Sequence, residues 1–320
     1  MVADIHVNER PRDQYRWGLF DWLAPQKADE LLIAGDLTDA KDRHGAQLVN
    51  RLHDAVNKLG VKFRVIIVKG NHDYLDPSHP FFQFLGSSLD VQFVVEPVEI
   101  ELSIGSAFFV PAGAQWDFKI PEVDYLFTHA TFSGAKAENG QLMTGVDPSV
   151  LSGFAGKCYS GDIHVPQVMA GGKIEYVGAP YHIRFGDAFV PRVLCIENSG
   201  KTRDLHFPAP SKHTFIIARP DDLRDEEAKA GDHVKVRCLL RRSEYDKWRG
   251  YAAEIKRIAE ERSWLLFGAE PVALEMSEQA RAEAEDGRAL STDDVLAAYV
   301  RQQKASDDYL VAGRLLLSGG

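Results

Sequence analysis

The segment ADELLIAGDLTD, residues 28–39, passes from apolar residues typical of a buried strand directly into acidic residues. Its apolar part, residues 28–34, predicts a short strand, and Gly35 then begins a polar loop that contains Asp36 and Asp39. In open α/β sheets, ligands bind at the carboxyl ends of strands, because several such ends meet at one edge. The segment therefore predicts an α/β fold with a polar site at the end of this strand.

Four further polar motifs are similar, and most of them also follow an apolar run. They are Asp4-Ile5-His6, Gly70-Asn71-His72-Asp73, Thr128-His129 and Gly161-Asp162-Ile163-His164. Asp, Asn and His supply the oxygen and nitrogen donors that suit divalent manganese, iron or zinc. The five motifs contain no cysteine, which argues against a structural zinc site. Each motif by itself is commonly a loop or turn, but the five together favour a metal site.

A site with two metals has a specific chemistry that these residues can provide. Two cations about 3.5–4 Å apart can clamp a phosphodiester and stabilise both the attacking and the leaving oxygen. One carboxylate must bridge them, and Asp36 is the candidate. Water shared by the cations has a lowered pKa, so no Ser or Cys nucleophile is required. His72 is the candidate catalytic group near the departing oxygen, with Asp73 placed to orient it.

The order and spacing of the five motifs resemble the calcineurin-like metallophosphoesterase superfamily. Its pattern runs DxH, GDxxD, GNH(D/E), a later lone His, and GHxH. This chain departs from it in the fifth motif, where Asp162 stands in place of the usual first His. Stretches in and after that motif resemble the SbcD-type branch of DNA-repair exonucleases. They are residues 161–167 (GDIHVPQ), 176–180 (YVGAP) and 185–187 (FGD).

The resemblance, which covers roughly residues 1–200, implies a ligand role for each motif residue. One metal would be held by Asp4, His6, Asp36 and His164, and the other by Asp36, Asn71, His129 and Asp162. The cofactor would be two divalent ions, with Mn²⁺ preferred over Fe²⁺, Zn²⁺ and Mg²⁺. Asp162 either binds its ion directly, which favours a harder ion such as Mn²⁺, or binds through water and leaves the second metal weak.

The resemblance also implies the fold class, an α/β (α+β) four-layer αββα sandwich over residues 1–207 and a smaller C-terminal α/β cap over residues 208–320. Apolar patterning agrees with strands at 28–34 and 63–68 joined by a helix at 45–59, a right-handed crossover. Residues 91–95, 98–102 and 107–110 are expected to form a meander of the second sheet. Residues 173–177 and 192–197 would complete the sheets.

The cap begins after the linker Pro208-Ala209-Pro210. Its pattern predicts strands at 213–218, 233–240 and 264–274, a helix at 243–262 and a final helix at 293–303. Arg241 and Arg242 open a basic segment that is either a solvated helix face or a guide for nucleic acid. Together with His182, which follows the turn at 178–180, they are the candidate substrate-binding residues.

Composition limits these hypotheses. The net charge of −10 counts against tight, sequence-independent coating of DNA, but it does not exclude an enzyme that holds a strand end. The chain has no apolar stretch long enough to span a bilayer, no signal-peptide core and only three scattered cysteines, so we expect a cytoplasmic protein. Phe81, Phe82, Phe84 and Trp116 are either a platform for stacking bases or core residues, and the core is favoured.

The leading functional hypothesis is a dimetal-dependent DNA exonuclease that works 3′ to 5′ through a metal-bound hydroxide. DNA as substrate and the polarity are implied by the SbcD resemblance. The alternatives are a small-nucleotide phosphodiesterase or phosphatase, and a weakly catalytic DNA-binding scaffold that has lost its second metal at Asp162. The partners considered are a DNA strand end, an SbcC-type ATPase and a second copy of the chain. No membrane partner is expected.

Overall fold

The structure, a computed structural model, describes residues 1–41, 43–87 and 90–273. The chain divides into two compact units, Met1–Ser211 and a second unit that begins at Lys212. The predicted boundary at 207/208 lies in the same proline-containing segment. No helix within the described ranges has both the length and the apolar character needed to cross a membrane.

The first unit contains a parallel sheet of four strands in the order β1-β2-β3-β4. The strands are β1 Val2–Ala3, β2 Glu30–Ala34, β3 Arg64–Val68 and β4 Val91–Val94. β3 is an inner strand, paired with β2 on one side and with β4 on the other. The assignment of residues 91–95 to the second sheet is wrong, because β4 pairs in parallel with β3.

Two helices and two 3₁₀ segments cover one face of this sheet. They are α1 Gly18–Leu23, α2 Ala46–Gly60, and the segments Pro11–Trp17 and Phe81–Ser87. α2 is the predicted connection between β2 and β3. Its buried residues recur at helical spacing and pack on the sheet; they are Leu48, Leu52, Val56 and Leu59. This repeat explains why the helix was readable from the sequence.

The second sheet has six strands in the order β5-β6-β7-β8-β10-β9. The strands are β5 Val98–Leu102, β6 Gly105–Val110, β7 Tyr125–Thr128, β8 Lys157–Ser160, β9 Gln167–Met169 and β10 Ile174–Tyr176. The four inner strands are parallel, and the two edge strands are antiparallel to their neighbours. The carboxyl ends of β7 and β8 therefore lie side by side.

The two sheets pack face to face around a shared core. Residues such as Ile66 and Val68 of the first sheet meet Phe109 and Phe127 of the second in one buried cluster. The outer face of the second sheet is covered by loops around Phe132 and Phe154 and by a short 3₁₀ segment, Pro148–Leu151. The mixed α/β fold with stacked sheets is confirmed; the fourth layer consists mainly of loops.

Residues 192–197 behave differently from the prediction that they complete the main sheets. β11 Val193–Ile196 pairs with β12 Thr202–Leu205 in a separate antiparallel ribbon. The ribbon is tied to the start of the chain, because the backbone N–H of Leu194 donates to the carbonyl of Met1 at 2.9 Å.

In its described residues, 212–273, the second unit is a small α/β structure. Its three parallel strands, in the order β13-β14-β15, are β13 Lys212–Ile217, β14 His233–Leu240 and β15 Leu265–Ala273. The predicted helix at 243–262 consists of a 3₁₀ segment, Arg242–Lys247, followed by α3 Trp248–Glu261. The predicted final helix at 293–303 lies outside the described residues.

Candidate metal centre

The five motifs meet where parallel strands of the two sheets end. Asp4 follows β1, Asp36 follows β2 and Asn71 follows β3. His129 and Asp162 follow β7 and β8 of the second sheet. The sheets face each other, so their strand ends bring both sets of polar side chains to one edge.

Four of these residues have a left-handed backbone conformation that side chains other than glycine rarely adopt. Their φ angles are 54° for Asp4, 44° for His6, 56° for Asp36 and 77° for Asp162. Asp and His tolerate this region better than most residues. Such strain persists only where the surroundings hold it, and it clusters at functional sites. The shared backbone conformation therefore marks these four positions independently of their side chains.

Three groups of side chains place their ligand atoms within 4.8 Å of one another. The groups are Asp4, His6 and His164; His6, Asp36 and His72; and Asp4, Asp36 and His129. The structure thus brings six of the predicted site residues into overlapping clusters. It also places His72 close enough to be a ligand, whereas the sequence predicts a catalytic role outside the ligand set.

Asp36 connects the two halves of the centre. Its Oδ2 lies 3.5 Å from Nε2 of His6, and its Oδ1 lies 3.4 Å from Nε2 of His129. The side chain is almost completely buried. Each oxygen therefore faces a different histidine, which is the geometry that a bridging carboxylate needs.

The four histidines of the site share one orientation. In each of them, Nδ1 lies next to an oxygen outside the cluster. For three of them it is a backbone carbonyl: Thr38 for His6, Asp39 for His72 and Ala34 for His129. For His164 it is the Glu138 carboxylate. A proton held on Nδ1 leaves the Nε2 lone pair free to bind a metal. In agreement, Nε2 of His6 and Nε2 of His164 face each other at 3.2 Å.

Several buried polar atoms of the centre have no hydrogen-bond partner. They are Asp4 Oδ2, Asn71 Oδ1 and His129 Nε2. His164 Nδ1 also lacks an aligned hydrogen bond, but it makes an ion-pair contact with Glu138 Oε1 at 2.5 Å. Buried polar groups normally have partners, so unpaired atoms that converge on one place indicate a missing ligand. Their oxygen and nitrogen chemistry suits divalent first-row cations.

The charges of the centre also favour the binding of cations. Burial lowers the pKa of His129, but Asp36, Asp4 and Asp162 together outweigh burial and raise that pKa to about 9. Burial raises the pKa of Asp4 to about 7. The carboxylates thus attract positive charge into a buried site, and the residues present fit two divalent cations.

Asp162 is engaged in the half of the centre where the family usually has a histidine. Its Oδ1 accepts a hydrogen bond from Nδ2 of Asn71 at 2.9 Å, and its Oδ2 accepts one from the hydroxyl of Thr131. Its Oδ1 also lies 3.7 Å from Nε2 of His129. Asp162 is therefore close to the expected ligands, but its oxygens are shared with hydrogen-bond donors.

Asp73 has a different position from the one the sequence predicts. Its carboxylate accepts backbone N–H groups of Asp36, Leu37 and Gly70, at distances of 2.7 to 3.1 Å. The partner of His72 Nδ1 is instead the Asp39 carbonyl, at 2.9 Å. The prediction that Asp73 orients His72 is wrong; Asp73 joins the second and third motifs. Burial, followed by the nearby Asp36, raises the pKa of Asp73 to about 6.

The predicted substrate-binding residues belong to different units, with His182 in the first. Nε2 of His182 lies 2.9 Å from the carbonyl of Phe189, and its ring packs edge-on to that of Phe189. Arg241 and Arg242 belong to the second unit, where both are exposed at the start of a 3₁₀ segment. Their predicted contacts with substrate remain predictions.

Besides Thr131, sequence reasoning missed two further residues near the centre, Glu138 and Tyr74. Glu138 lies in the loop after the fourth motif, and its Oε1 is 2.5 Å from Nδ1 of His164. The close contact with Nδ1 of His164 lowers the pKa of Glu138 to about 2. Burial and then Asp36 and Asp162 raise the pKa of Tyr74, which directly follows the third motif. Only the position of Tyr74 next to a motif offered a sequence signal.

Comparison with known proteins agrees with this geometry. Residues 1–147 match the family model of the calcineurin-like phosphoesterases. This part of the first unit is therefore similar to the calcineurin-like phosphoesterases, and that similarity implies a metal-dependent hydrolase with a dimetal centre. Asp162 and His164 lie beyond the matched residues.

Solved structures similar to this chain include the Pseudomonas putida nuclease MPE, at 16% identity and a TM-score of 0.33, over 64% of this chain and 86% of that one. A single mutant of Vps29 from Entamoeba histolytica matches at 15% identity and a TM-score of 0.26, over 64% of this chain and 97% of that one. No curated protein matches the sequence of this chain.

Proposed function

We propose that this chain is a dimetal-dependent DNA exonuclease that removes nucleotides from a 3′ end. The observation that supports it most strongly is Asp36, whose two oxygens face His6 on one side and His129 on the other. A carboxylate shared in this way serves two cations and supports hydrolysis of a phosphodiester. Mn²⁺ is the proposed ion, because the site contains more oxygen ligands than a zinc site usually does. These oxygens belong to Asp4, Asp36, Asn71 and Asp162.

The residues of the chain have separable tasks in this proposal. Bound cations would polarise the phosphodiester and activate water. His72 has Nδ1 fixed by the Asp39 carbonyl, so its Nε2 is directed towards the cluster with His6 and Asp36. There it can stabilise or protonate the oxygen that leaves when the P–O bond breaks.

DNA as the substrate is supported by the SbcD-like stretches and by two exposed aromatic rings. Phe81 and Phe84 are 39% and 42% exposed, whereas Phe82 is fully buried in the core. The backbone N–H of Phe81 donates to the carbonyl of Asp73 at 2.9 Å, which places it next to the third motif. Rings at this position suit stacking on the bases of a strand end.

The aromatic support can be tested separately. Stacking is worth about 1–3 kcal/mol per base, or roughly 5- to 150-fold in Kd. Phe81→Ala and Phe84→Ala should weaken binding to single-stranded DNA without changing hydrolysis of a small chromogenic phosphodiester. The matched control is Val61→Ala, which truncates an apolar residue that is 81% exposed.

The second unit is proposed to contact the DNA strand through Arg241 and Arg242, since both are exposed. The double variant Arg241→Ala, Arg242→Ala should reduce DNA cleavage and the dependence of that cleavage on salt. Hydrolysis of the small chromogenic phosphodiester should be unchanged. Equal cleavage by the variant and the wild type would remove these arginines from the substrate path. An SbcC-type ATPase partner remains a part of the proposal that rests on the resemblance. A cytoplasmic location rests on the scattered cysteines, and self-association stays a prediction.

The main experiment is digestion of end-labelled single- and double-stranded DNA in the presence of Mn²⁺. Stepwise loss of nucleotides from the 3′ end is expected. Cyclic nucleotides and a phosphoprotein are assayed in parallel, and cleavage of these alone would favour the small-nucleotide phosphodiesterase.

A second candidate function is a weakly catalytic DNA-binding scaffold. It is favoured by one observation, the hydrogen bonds from Asn71 and Thr131 that already occupy Asp162. Elemental analysis separates the two. Two ions per chain support the enzyme, whereas one ion together with DNA binding but no cleavage supports the scaffold.

A further inference from the structure

The acceptor next to Nδ1 distinguishes His164 from the other three histidines of the metal centre. His6, His72 and His129 have backbone carbonyls at this position, whereas His164 has the carboxylate of Glu138. The side chains of His164 and Glu138 are only 12% and 18% exposed. A carboxylate that is largely shielded from water is a stronger acceptor than a carbonyl, and it increases the basicity of the imidazole.

The loop that carries Glu138 is fixed by a residue that follows the fifth motif. Oε1 of Gln167 accepts the backbone N–H of Lys136 at 2.9 Å, and Nε2 of Gln167 donates to the carbonyl of Lys136 at 2.8 Å. Lys136 also forms a bridge with Leu142 that closes the loop around Glu138. Both backbone groups of Lys136 are thus held by a side chain only three positions from His164.

We propose that Glu138 is a positioning residue that fixes the tautomer and ring orientation of His164 for metal binding, and that Gln167 holds Glu138 in place. His164 then presents Nε2 to the group formed with Asp4 and His6. This role also assigns a function to the glutamine at the end of residues 161–167, which the ligand set leaves unexplained. The inference depends on the metal centre of the proposed function but is independent of DNA as the substrate.

The experiment is calorimetric titration of the full-length, metal-free protein with Mn²⁺. Loss of an outer hydrogen-bond partner of a ligand typically weakens metal affinity by about 10- to 100-fold. Glu138→Gln keeps the size of the side chain and should weaken one of the two binding sites by that factor. Gln167→Ala should weaken the same site by a smaller factor. The control Glu122→Gln changes an exposed glutamate of the same unit and should bind like the wild type.

A second measurement separates positioning from a general loss of structure. The ¹⁵N chemical shifts of the His164 ring report which nitrogen carries the proton, even without metal. The wild type should show the proton on Nδ1, and Glu138→Ala should show a mixture of tautomers, with thermal unfolding of the metal-free protein little changed.

The outcomes separate this inference from the proposed function. If Glu138→Gln binds both ions as the wild type does, or if Glu138→Ala leaves the His164 tautomer unchanged, the positioning role is wrong, whatever the DNA assay shows. If one site is weakened while the wild type cleaves no DNA, the positioning role stands and the exonuclease proposal fails.

Discussion

The two halves of the metal centre are built from the same kind of strand end, but they differ in how their ligand atoms are used. In the half with Asp4, His6 and His164, the two imidazoles direct Nε2 at each other, and Asp4 keeps Oδ2 unpaired. In the half with Asn71, His129 and Asp162, the Asp162 oxygens accept hydrogen bonds from Asn71 and Thr131. The first half therefore pairs two imidazole nitrogens with an unpaired carboxylate oxygen, whereas the second half leaves Asn71 Oδ1 and His129 Nε2 unpaired but engages Asp162 in hydrogen bonds.

The difference involves Asp162, which stands where the family that the sequence resembles has a histidine. A histidine at position 162 would add a neutral nitrogen donor, whereas Asp162 adds negative charge and two oxygens that attract nearby donors. Asn71 responds by pointing its amide at Asp162, which leaves its own Oδ1 unpaired. The second half thus keeps an oxygen-rich donor set that suits hard cations.

The largest expected effect is at Asp36, which belongs to both halves. Asp36→Asn should reduce hydrolysis of any phosphodiester by more than about 10³-fold, above the usual cost of removing one electrostatic group. It should also weaken the binding of both ions in a Mn²⁺ titration. Asp54→Asn, at a side chain that is 73% exposed, is the control. Loss of only one ion would show that Asp36 serves one half and does not bridge.

A variant of His72 tests whether this residue is a metal ligand of the first half or a catalytic group beside it. His72→Ala should keep both ions and lose about 10²–10³ in turnover, because its expected task is to stabilise the leaving oxygen. Turnover and metal content are measured on the same preparation. Release of an ion would instead make His72 a ligand, in line with its group with His6 and Asp36.

Thr131 tests whether the second half uses Asp162 directly. Thr131→Val keeps the shape of the side chain and removes the hydroxyl that donates to Asp162. If Asp162 binds its ion, affinity at this half should fall about 10-fold, as for other outer partners of a ligand. Affinity at the first half serves as the internal control in the same titration. An unchanged affinity would indicate that Asp162 does not bind the ion.

The smallest effect on activity is expected from Asp162→His, which makes the second half resemble the first. The variant should remain active but prefer softer or borderline ions, because imidazole replaces a carboxylate. Activity is compared across Mn²⁺, Co²⁺, Ni²⁺ and Zn²⁺ for the variant and the wild type. Identical profiles would count against coordination by residue 162.

Much of the fold could be predicted from the sequence, because local residue patterns decide it. The apolar run of β3 and the helical spacing of Leu48, Leu52 and Val56 in α2 are properties of adjacent residues. The sheet to which β4 belongs could not be predicted, since residues 91–95 and 98–102 look like consecutive strands of one meander. The chain instead passes from the first sheet to the second between Val94 and Val98, and alternation of apolar residues is the same for either sheet.

The sequence by itself determined which donor atoms the site contains and at which strand ends they occur, because residue type and position after an apolar run are local facts. Only the tertiary structure decided how those atoms are used. The contacts of Glu138 with His164, Thr131 with Asp162 and Asp73 with the Asp36 backbone join residues distant in the chain. They depend on two sheets packing face to face, and packing at that distance leaves no local pattern in the sequence.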